Sequence, residues 1–428
     1  MNGNISTMIY TRPSKLLLAL AVIVLPPLLA FGGPGEGIRV GKLTISPFIN
    51  ASVTYDSNVF LEEKDPNDDF FLDTMIGVSV AEQVRTITLN ARAWYMLRKY
   101  LEYTSENHDE WGESASIAIG SSERTLLQIS QRFRRTEDFE RTPGSVEYAN
   151  PENQTLILSE DRTMRVPRSL NDVGVSISRK ISEKTTILAS GALNYNNYDS
   201  SSLYDWNEDT ILAQVFRRIT DKTSATLSGT YGLQHSDGLD EAVRLYSVDA
   251  GLQMRRSAKL HLDASLGVQR YEAPAETGPE NPTFLAFNAA ARWAATKKWT
   301  LQLSSRNGMQ PASQFRNDTM KVTLVSLSAE RPLGQSLLFS MTGAYRYDMY
   351  NNTRSSGDPT SPEYTGAVQD DATSGEAWSR QWAGLVRLDY RPNRKPYNVY
   401  AEVRYEDTDS VWFKYDQLRA SIGLAARY

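Results

Sequence analysis

The stretch YDQLRASIGLAARY, from Tyr415 to Tyr428, alternates strictly between apolar and small or polar residues from Leu418 onward. Successive side chains of a strand point to opposite sides, so this stretch would have one apolar face and one small or polar face. A strand at the end of a chain has an open edge unless a second neighbour covers it. We therefore expect it to pair with the first strand in a closed barrel. The alternative is the last strand of a soluble sandwich.

The composition limits the chemistry that the chain can carry. It has 428 residues, of which 40% are hydrophobic, with three His and no Cys. The absence of Cys excludes disulfides and thiolate metal sites. The formal net charge of −5 argues against nucleic acid as a partner, because such a partner needs a basic face.

The N-terminal residues are typical of a secretory signal peptide. Arg12 and Lys15 are followed by an apolar run that ends at Phe31, which is shorter than the roughly 20 residues of a membrane-spanning helix. No other apolar run is long enough, so the chain would cross a membrane only as strands. The predicted division is a signal peptide cleaved near Gly32 (residues 1–32), a short periplasmic segment (33–42) and an outer-membrane barrel (43–428).

The connections between the alternating segments are short and long in turn. Short ones, such as residues 82–85, alternate with long ones that are rich in Asp, Asn, Gly, Pro and Ser, such as residues 136–169, 306–317, 349–375 and 406–410. Outer-membrane barrels have this asymmetry, with short periplasmic turns and longer external loops. We therefore predict an all-β fold, a single transmembrane antiparallel up-and-down barrel of about 18 strands. The alternative is about 16 strands, if the weak segments 111–120 and 299–305 are not strands.

With the apolar positions facing lipid, the other face of each strand would line an aqueous lumen. One segment is ambiguous, because Met320 to Leu324 and Val325 to Ala329 place apolar residues on opposite faces. Thr323 is among the predicted lumen positions. Charges there could bias which solutes pass, or could simply pair across neighbouring strands. The candidate pore-lining residues are Arg92, Asp249, Arg292, Arg387, Asp389, Glu402, Arg404 and Arg419.

Enzymatic and metal-binding chemistry has little support. His108 lies among acidic residues and could act as a base, but no second motif accompanies it. The acidic groups around Asp69 and at Asp370 and Asp371 lack the spacing of a calcium loop, and solvated loop charge is the simpler interpretation. We predict no catalytic residues, no metal site and no cofactor.

One motif carries a family resemblance. Residues 48–60, FINASVTYDSNVF, resemble the opening of bacterial outer-membrane barrels of the putative β-barrel porin 2 type, in which a strand runs through Tyr-Asp-Ser-Asn into the first external loop. The repeated hairpins that follow are similar to the same family over residues 40–428. The resemblance implies a large outer-membrane barrel, and some members look linked to exopolysaccharide production or export. It brings no catalytic residues.

Two functions remain open at this point. The polar lumen favours a channel for passive diffusion of small hydrophilic solutes in the bacterial outer membrane, and the resemblance suggests a part in exopolysaccharide export or surface assembly. The expected partners are outer-membrane lipid, small solutes or polysaccharide, and the barrel-assembly machinery through the C-terminal strand. Loop 136–169 could fold inward and narrow the pore, or outward for docking. The oligomeric state is not predicted.

Overall fold

The structure is a computed structural model. It describes residues 37–121, 124–137, 146–150, 154–158, 167–199, 205–236, 242–272, 283–311, 319–350, 377–392, 395–410 and 414–427. The predicted signal peptide lies outside the described residues.

The described residues are almost entirely strand, with one 3-10 turn at Thr104–Glu106. The first strands are β1 (Ile38–Val40), β2 (Leu43–Asp56), β3 (Asp69–Val84), β4 (Ile87–Tyr100), β5 (His108–Ser121), β6 (Thr125–Thr136), β7 (Val146–Asn150), β8 (Gln154–Leu158), β9 (Arg168–Lys180), β10 (Thr185–Tyr198) and β11 (Trp206–Thr220). The later strands are β12 (Thr223–Ser236), β13 (Val243–Ser257), β14 (Leu260–Glu272), β15 (Thr283–Ala294), β16 (Thr300–Pro311), β17 (Thr319–Pro332), β18 (Leu337–Tyr350), β19 (Ala377–Tyr390), β20 (Tyr397–Ser410) and β21 (Lys414–Arg427).

Eighteen of these strands close into one antiparallel barrel. Each pairs with the next along the chain, β6 pairs with β9, and β21 returns to pair with β2. The predicted barrel and its strand number are therefore confirmed, and the alternative of 16 strands is wrong. Both weak segments are barrel strands, as β5 and β16. Three strands lie outside the ring: β1 pairs with the beginning of β2, and β7 and β8 form a separate hairpin.

Several predicted loop boundaries are wrong because the strands extend beyond the stretches that alternate most clearly. β16 continues to Pro311, within the predicted loop 306–317. β20 continues to Ser410, so the predicted loop 406–410 is strand. These extensions lie at the long-loop end of the barrel, where backbone pairing continues beyond the alternating stretch.

The strand register separates an apolar outer face from a polar inner face. Large apolar residues on the outside are exposed, for example Ile211 at 63%, Val248 at 61% and Ile422 at 68%. In a membrane this surface contacts hydrocarbon, and the closed ring leaves no unpaired strand edge inside the oily layer. No helix among the described residues is long and apolar enough to cross a membrane.

The ambiguous strand β17 has a definite orientation. Met320, Val322 and Leu324 face inward and are almost fully buried, whereas Leu327 faces outward and is 48% exposed. Thr323 therefore faces outward, where its Oγ1 accepts a hydrogen bond from Asn307 Nδ2 over 2.9 Å. Its predicted place in the lumen is wrong, because the apolar residues beside it occupy the inner face.

Candidate functional site in the barrel lumen

Charged side chains on the inner wall pair across neighbouring strands. Arg387 on β19 lies 2.7 Å from Asp389 Oδ2 and 3.0 Å from Glu402 Oε2 on β20. Its guanidinium group also lies over the ring of Tyr400, 3.8 Å from the ring centroid. The Arg387 side chain is only 4% exposed. Its charge is therefore held within the wall, between two carboxylates and an aromatic face.

A second set of charges joins β20, β21 and β2. Arg404 and Arg419 are directly opposite each other in register, yet each has a carboxylate partner. Arg404 lies 2.7 Å from Glu406 Oε2, and Arg419 lies 3.0 Å from Asp56 Oδ2. The predicted cluster of Arg387, Glu402, Arg404 and Arg419 is thus brought together, but its members are tied to acids.

The eight predicted pore-lining residues all lie on strand positions that face inward, and they differ in accessibility. Arg92 and Arg292 are exposed, and Asp249 is half-buried, with Ser247 Oγ 3.0 Å from its Oδ2. The five C-terminal residues are the ion-paired ones described above. That any of these residues lines a conducting pore stays a prediction.

The motif Asp56-Ser57-Asn58 has a structural role at the barrel seam, where β2 pairs with β21. Asp56 Oδ1 accepts hydrogen bonds from the Asn58 backbone N–H and from Gln417 Nε2. Asn58 in turn donates through Nδ2 to the carbonyl oxygens of Glu62 and of Asp416. Asp56 and Asn58 are 0% and 1% exposed. The residues that carry the family resemblance therefore fasten the first strand to the last.

Aromatic side chains on the inner wall lie flat over glycines of the adjacent strand. Phe48 is opposite Gly77, and a β-carbon at Gly77 would overlap the Phe48 ring and lie 2.5 Å from the Ala93 carbonyl oxygen. The guanidinium group of Arg92 rests on this ring, 4.4 Å from its centroid. The glycine thus provides the space in which Phe48 and Arg92 stack against the wall.

The same arrangement occurs twice more. Trp94 is opposite Gly112, and Arg134 lies over the indole at 5.7 Å. Tyr400 is opposite Gly423, beneath Arg387. Large aromatic rings that would otherwise project toward the barrel axis are laid along the wall, so these positions narrow the lumen less.

A cavity of about 640 Å³ lies against the inner wall of β3 to β6, β9 and β10. Its inward-facing lining is mostly small hydroxyl and amide side chains with four charged groups. The charged groups are Arg92, Arg132, Asp172 and Arg427. Arg132 and Arg427 were not predicted as site residues, although both lie on the polar face of their strands in the sequence pattern. This region of the wall combines an open cavity with accessible charged groups.

The opposite wall carries a buried apolar patch. Leu324, Ala344, Ala383 and Leu385 face inward from β17, β18 and β19 and form a buried cluster. The hairpin β7–β8, which emerges between β6 and β9, brings the backbone of β8 within 8 Å of β18 and β19 between α-carbons. Those strands lie roughly across the ring from β6 and β9. The described hairpin of loop 136–169 therefore reaches from β6 and β9 to the far side of the ring.

Part of the sequence matches a known family of proteins. Residues 33–205 match a family model described as "Putative beta-barrel porin 2". Over that stretch, which is less than half of the chain, the sequence is similar to this family. The resemblance of the first strand and loop is confirmed, and the chain is a bacterial outer-membrane β-barrel. The site at which a signal peptide would be cleaved stays a prediction. No curated protein gives a match to the sequence.

Solved structures of Pseudomonas aeruginosa outer-membrane proteins are distantly similar. The outer-membrane protein OpdK is 11% identical, with 90% of this chain and 99% of that chain covered and a TM-score of 0.46. OprD is 12% identical, with coverages of 93% and 98% and a TM-score of 0.46. OpdK with vanillate is 10% identical, with coverages of 90% and 99% and a TM-score of 0.47. At these values nothing about a solute is transferred to this chain.

The sites considered for other chemistry have structural partners. His108 Nδ1 lies 2.9 Å from the Glu106 carbonyl oxygen, and the ring is 5% exposed. The carboxylate of Asp69 accepts hydrogen bonds from the backbone N–H groups of Phe70, Glu102 and Tyr103, so it organises an external turn. Asp370 and Asp371 lie outside the described residues. Within the described ranges, no group of three metal-ligating side chains is found.

Proposed function

We propose that this barrel is a water-filled channel for the passive diffusion of small hydrophilic solutes across the outer membrane. The observation that carries the proposal is the asymmetry of the lumen. One inner wall borders an open cavity with accessible charged groups, and on the opposite side of the ring the hairpin β7–β8 reaches β18 and β19. A polar passage beside a constriction is the arrangement that admits small solutes and holds back large ones.

The accessible charges would act on the solutes, and the paired ones would hold the wall. Arg92 and Arg292 are exposed on inward positions, so they are proposed to contact passing ions. Arg387, Arg404 and Arg419 are each bound to a carboxylate, and the net field that they add is correspondingly small. The charges of Asp389 and Glu402 are likewise balanced, because both carboxylates pair with Arg387.

Single-channel recording in planar bilayers tests the proposal. The purified barrel should give a stable ohmic conductance, and Arg92→Glu should shift the reversal potential toward cation preference under a KCl gradient. Arg244→Glu is the matched control, because Arg244 lies on the outer face and should leave the reversal potential unchanged. A folded barrel that stays closed, even when the hairpin is removed, would contradict a channel. That result would favour the second candidate, exopolysaccharide export or surface assembly, which rests on the family resemblance alone.

A further inference from the structure

The cavity on the open wall concentrates positive charge. Three arginines and one aspartate lie among its lining residues, which gives a local net charge of +2. Arg92, Arg132 and Arg427 are exposed to the lumen. Among the described residues none of these three guanidinium groups forms a close ion pair, although Asp172 is opposite Arg132 in register, whereas Arg387, Arg404 and Arg419 each have a carboxylate partner. The wall thus keeps three cations available to a ligand.

The strand register places these groups within reach of one small ligand. Arg92 and Arg132 flank Ser114, and all three occupy one hydrogen-bonded row across β4, β5 and β6. Two strand spacings of about 4.8 Å separate the two arginine backbones, a gap that long side chains can close. Asp172 follows Arg132 in the same row on β9. Arg427 enters from β21, opposite Phe48.

The position of Arg92 is fixed by its neighbours. Its guanidinium group lies over Phe48, whose ring is accommodated by Gly77. An arginine that stacks on an aromatic face is held in one orientation with its N–H edge free to donate. The polar lining around it supplies further neutral donors. These include Asn90, Ser116, Ser130 and Asn194.

We propose that Arg92, Arg132 and Arg427 form a binding subsite for small oxyanions. Guanidinium groups bind carboxylates and phosphates through paired charge-assisted hydrogen bonds, and three of them here face a single carboxylate, that of Asp172. The subsite deepens the proposed channel function, on which it rests for the route by which the anion arrives. It gives the channel a preference for anionic solutes, with Asp172 limiting how tightly they are held.

Binding of inorganic phosphate to the intact barrel in detergent, measured by isothermal titration calorimetry, tests the subsite without any conductance. The wild-type barrel should bind phosphate, and Arg132→Gln should weaken binding about tenfold or more, the loss of one charged hydrogen bond. Arg427→Gln should weaken it in the same direction, and Asp172→Asn should tighten it. Arg244→Gln, on the outer face, should bind as the wild type does.

The outcomes separate the two proposals. No phosphate binding by the wild type, or equal binding by the wild type and both arginine variants, overturns the subsite. Conductance without phosphate binding would support the channel and contradict the subsite. Phosphate binding without conductance would support the subsite and contradict the channel. Heat-modifiable migration on gels verifies that each variant is folded. Should Arg132→Gln not fold, Arg427→Gln and Asp172→Asn still decide the matter.

Discussion

Arg419 donates from Nε to Asp56 Oδ2 over 3.0 Å, and this contact joins the last strand of the barrel to its first. Asp56 is 0% exposed and receives two further hydrogen bonds, from Gln417 Nε2 and from the Asn58 backbone N–H. One carboxylate therefore satisfies donors on both sides of the seam. Thr54 and Ser421, two residues along each strand, add a hydroxyl contact of 2.9 Å.

Asp56→Ala should destabilise the barrel at this seam. The substitution leaves Arg419 and Gln417 without their shared acceptor, and removing one member of a buried ion pair costs about 3 kcal/mol or more. The midpoint temperature at which the heat-modifiable band unfolds on gels should fall. Asp221→Ala, in an exposed turn between β11 and β12, is the control and should leave the midpoint where it is. An equal midpoint for wild type and Asp56→Ala would mean that the seam contacts contribute nothing.

Gly77→Ala should disturb the inner wall. A β-carbon there would overlap Phe48 and approach the Ala93 carbonyl oxygen, so the ring and the arginine stacked on it must move. Overpacking of this kind costs about 1–3 kcal/mol. Chemical denaturation in detergent measures the loss.

Gly343→Ala and Gly384→Ala are matched controls, because a β-carbon at either position meets no atom within 4 Å. Both should be close to neutral. Equal effects at all three glycines would show that the change reflects the strand backbone rather than the stacked aromatic ring.

Arg387→Glu should damage the fold more than it changes ion preference. The new carboxylate would lie beside Asp389 and Glu402 in a site where the arginine is 4% exposed. Buried like charges without a partner cost about 3 kcal/mol or more, so the heat-modifiable fraction should fall. Arg292→Glu, at an exposed inward position, should leave that fraction unchanged. If both variants fold equally well, Arg387 is not held by its acids.

Replacing residues 146–158 with a short Gly/Ser segment should increase the single-channel conductance. The hairpin β7–β8 lies across the lumen against β18 and β19, and its removal widens the passage. The same replacement of residues 237–241, between β12 and β13, is the control. If the conductance rises equally in both variants, or in neither, the hairpin is not the constriction.

The sequence was sufficient to predict the barrel, its strand number and the orientation of most strands, since these depend on a period of two and on loop lengths. β17 was ambiguous for a physical reason. Its inward residues Met320, Val322 and Leu324 are apolar and almost fully buried. Both faces of this strand therefore carry apolar residues, and alternation alone does not show which face points to the lumen. The hairpin β7–β8 has strands of only five residues each, too short for alternation to be distinctive.

The candidate site was harder to predict than the fold. Alternation placed Arg387 and Arg419 on the inner face, but it carries no information on which acid each arginine meets across the register. The same parity argument places Arg132 and Arg427 on the inner face, but it does not show which inward arginines have an acidic partner. What distinguishes these two is that neither forms a close ion pair among the described residues, which only the three-dimensional arrangement reveals.

The seam also sets an order on folding. Thr54 and Ser421 are separated by 367 residues along the chain, while every other barrel pair joins segments that are near neighbours in sequence. The hairpins can therefore form locally and early, but the ring cannot shut until the last strand arrives, and bringing such distant segments together carries the largest loop-closure entropy in the molecule. Until then one side of β2 and one side of β20 have unpaired backbone N–H and C=O groups, which can pair with a strand of another chain. The hydrogen bonds around Asp56 and Asn58 hold β21 against β2, so they help to keep these two edges paired once the barrel has closed.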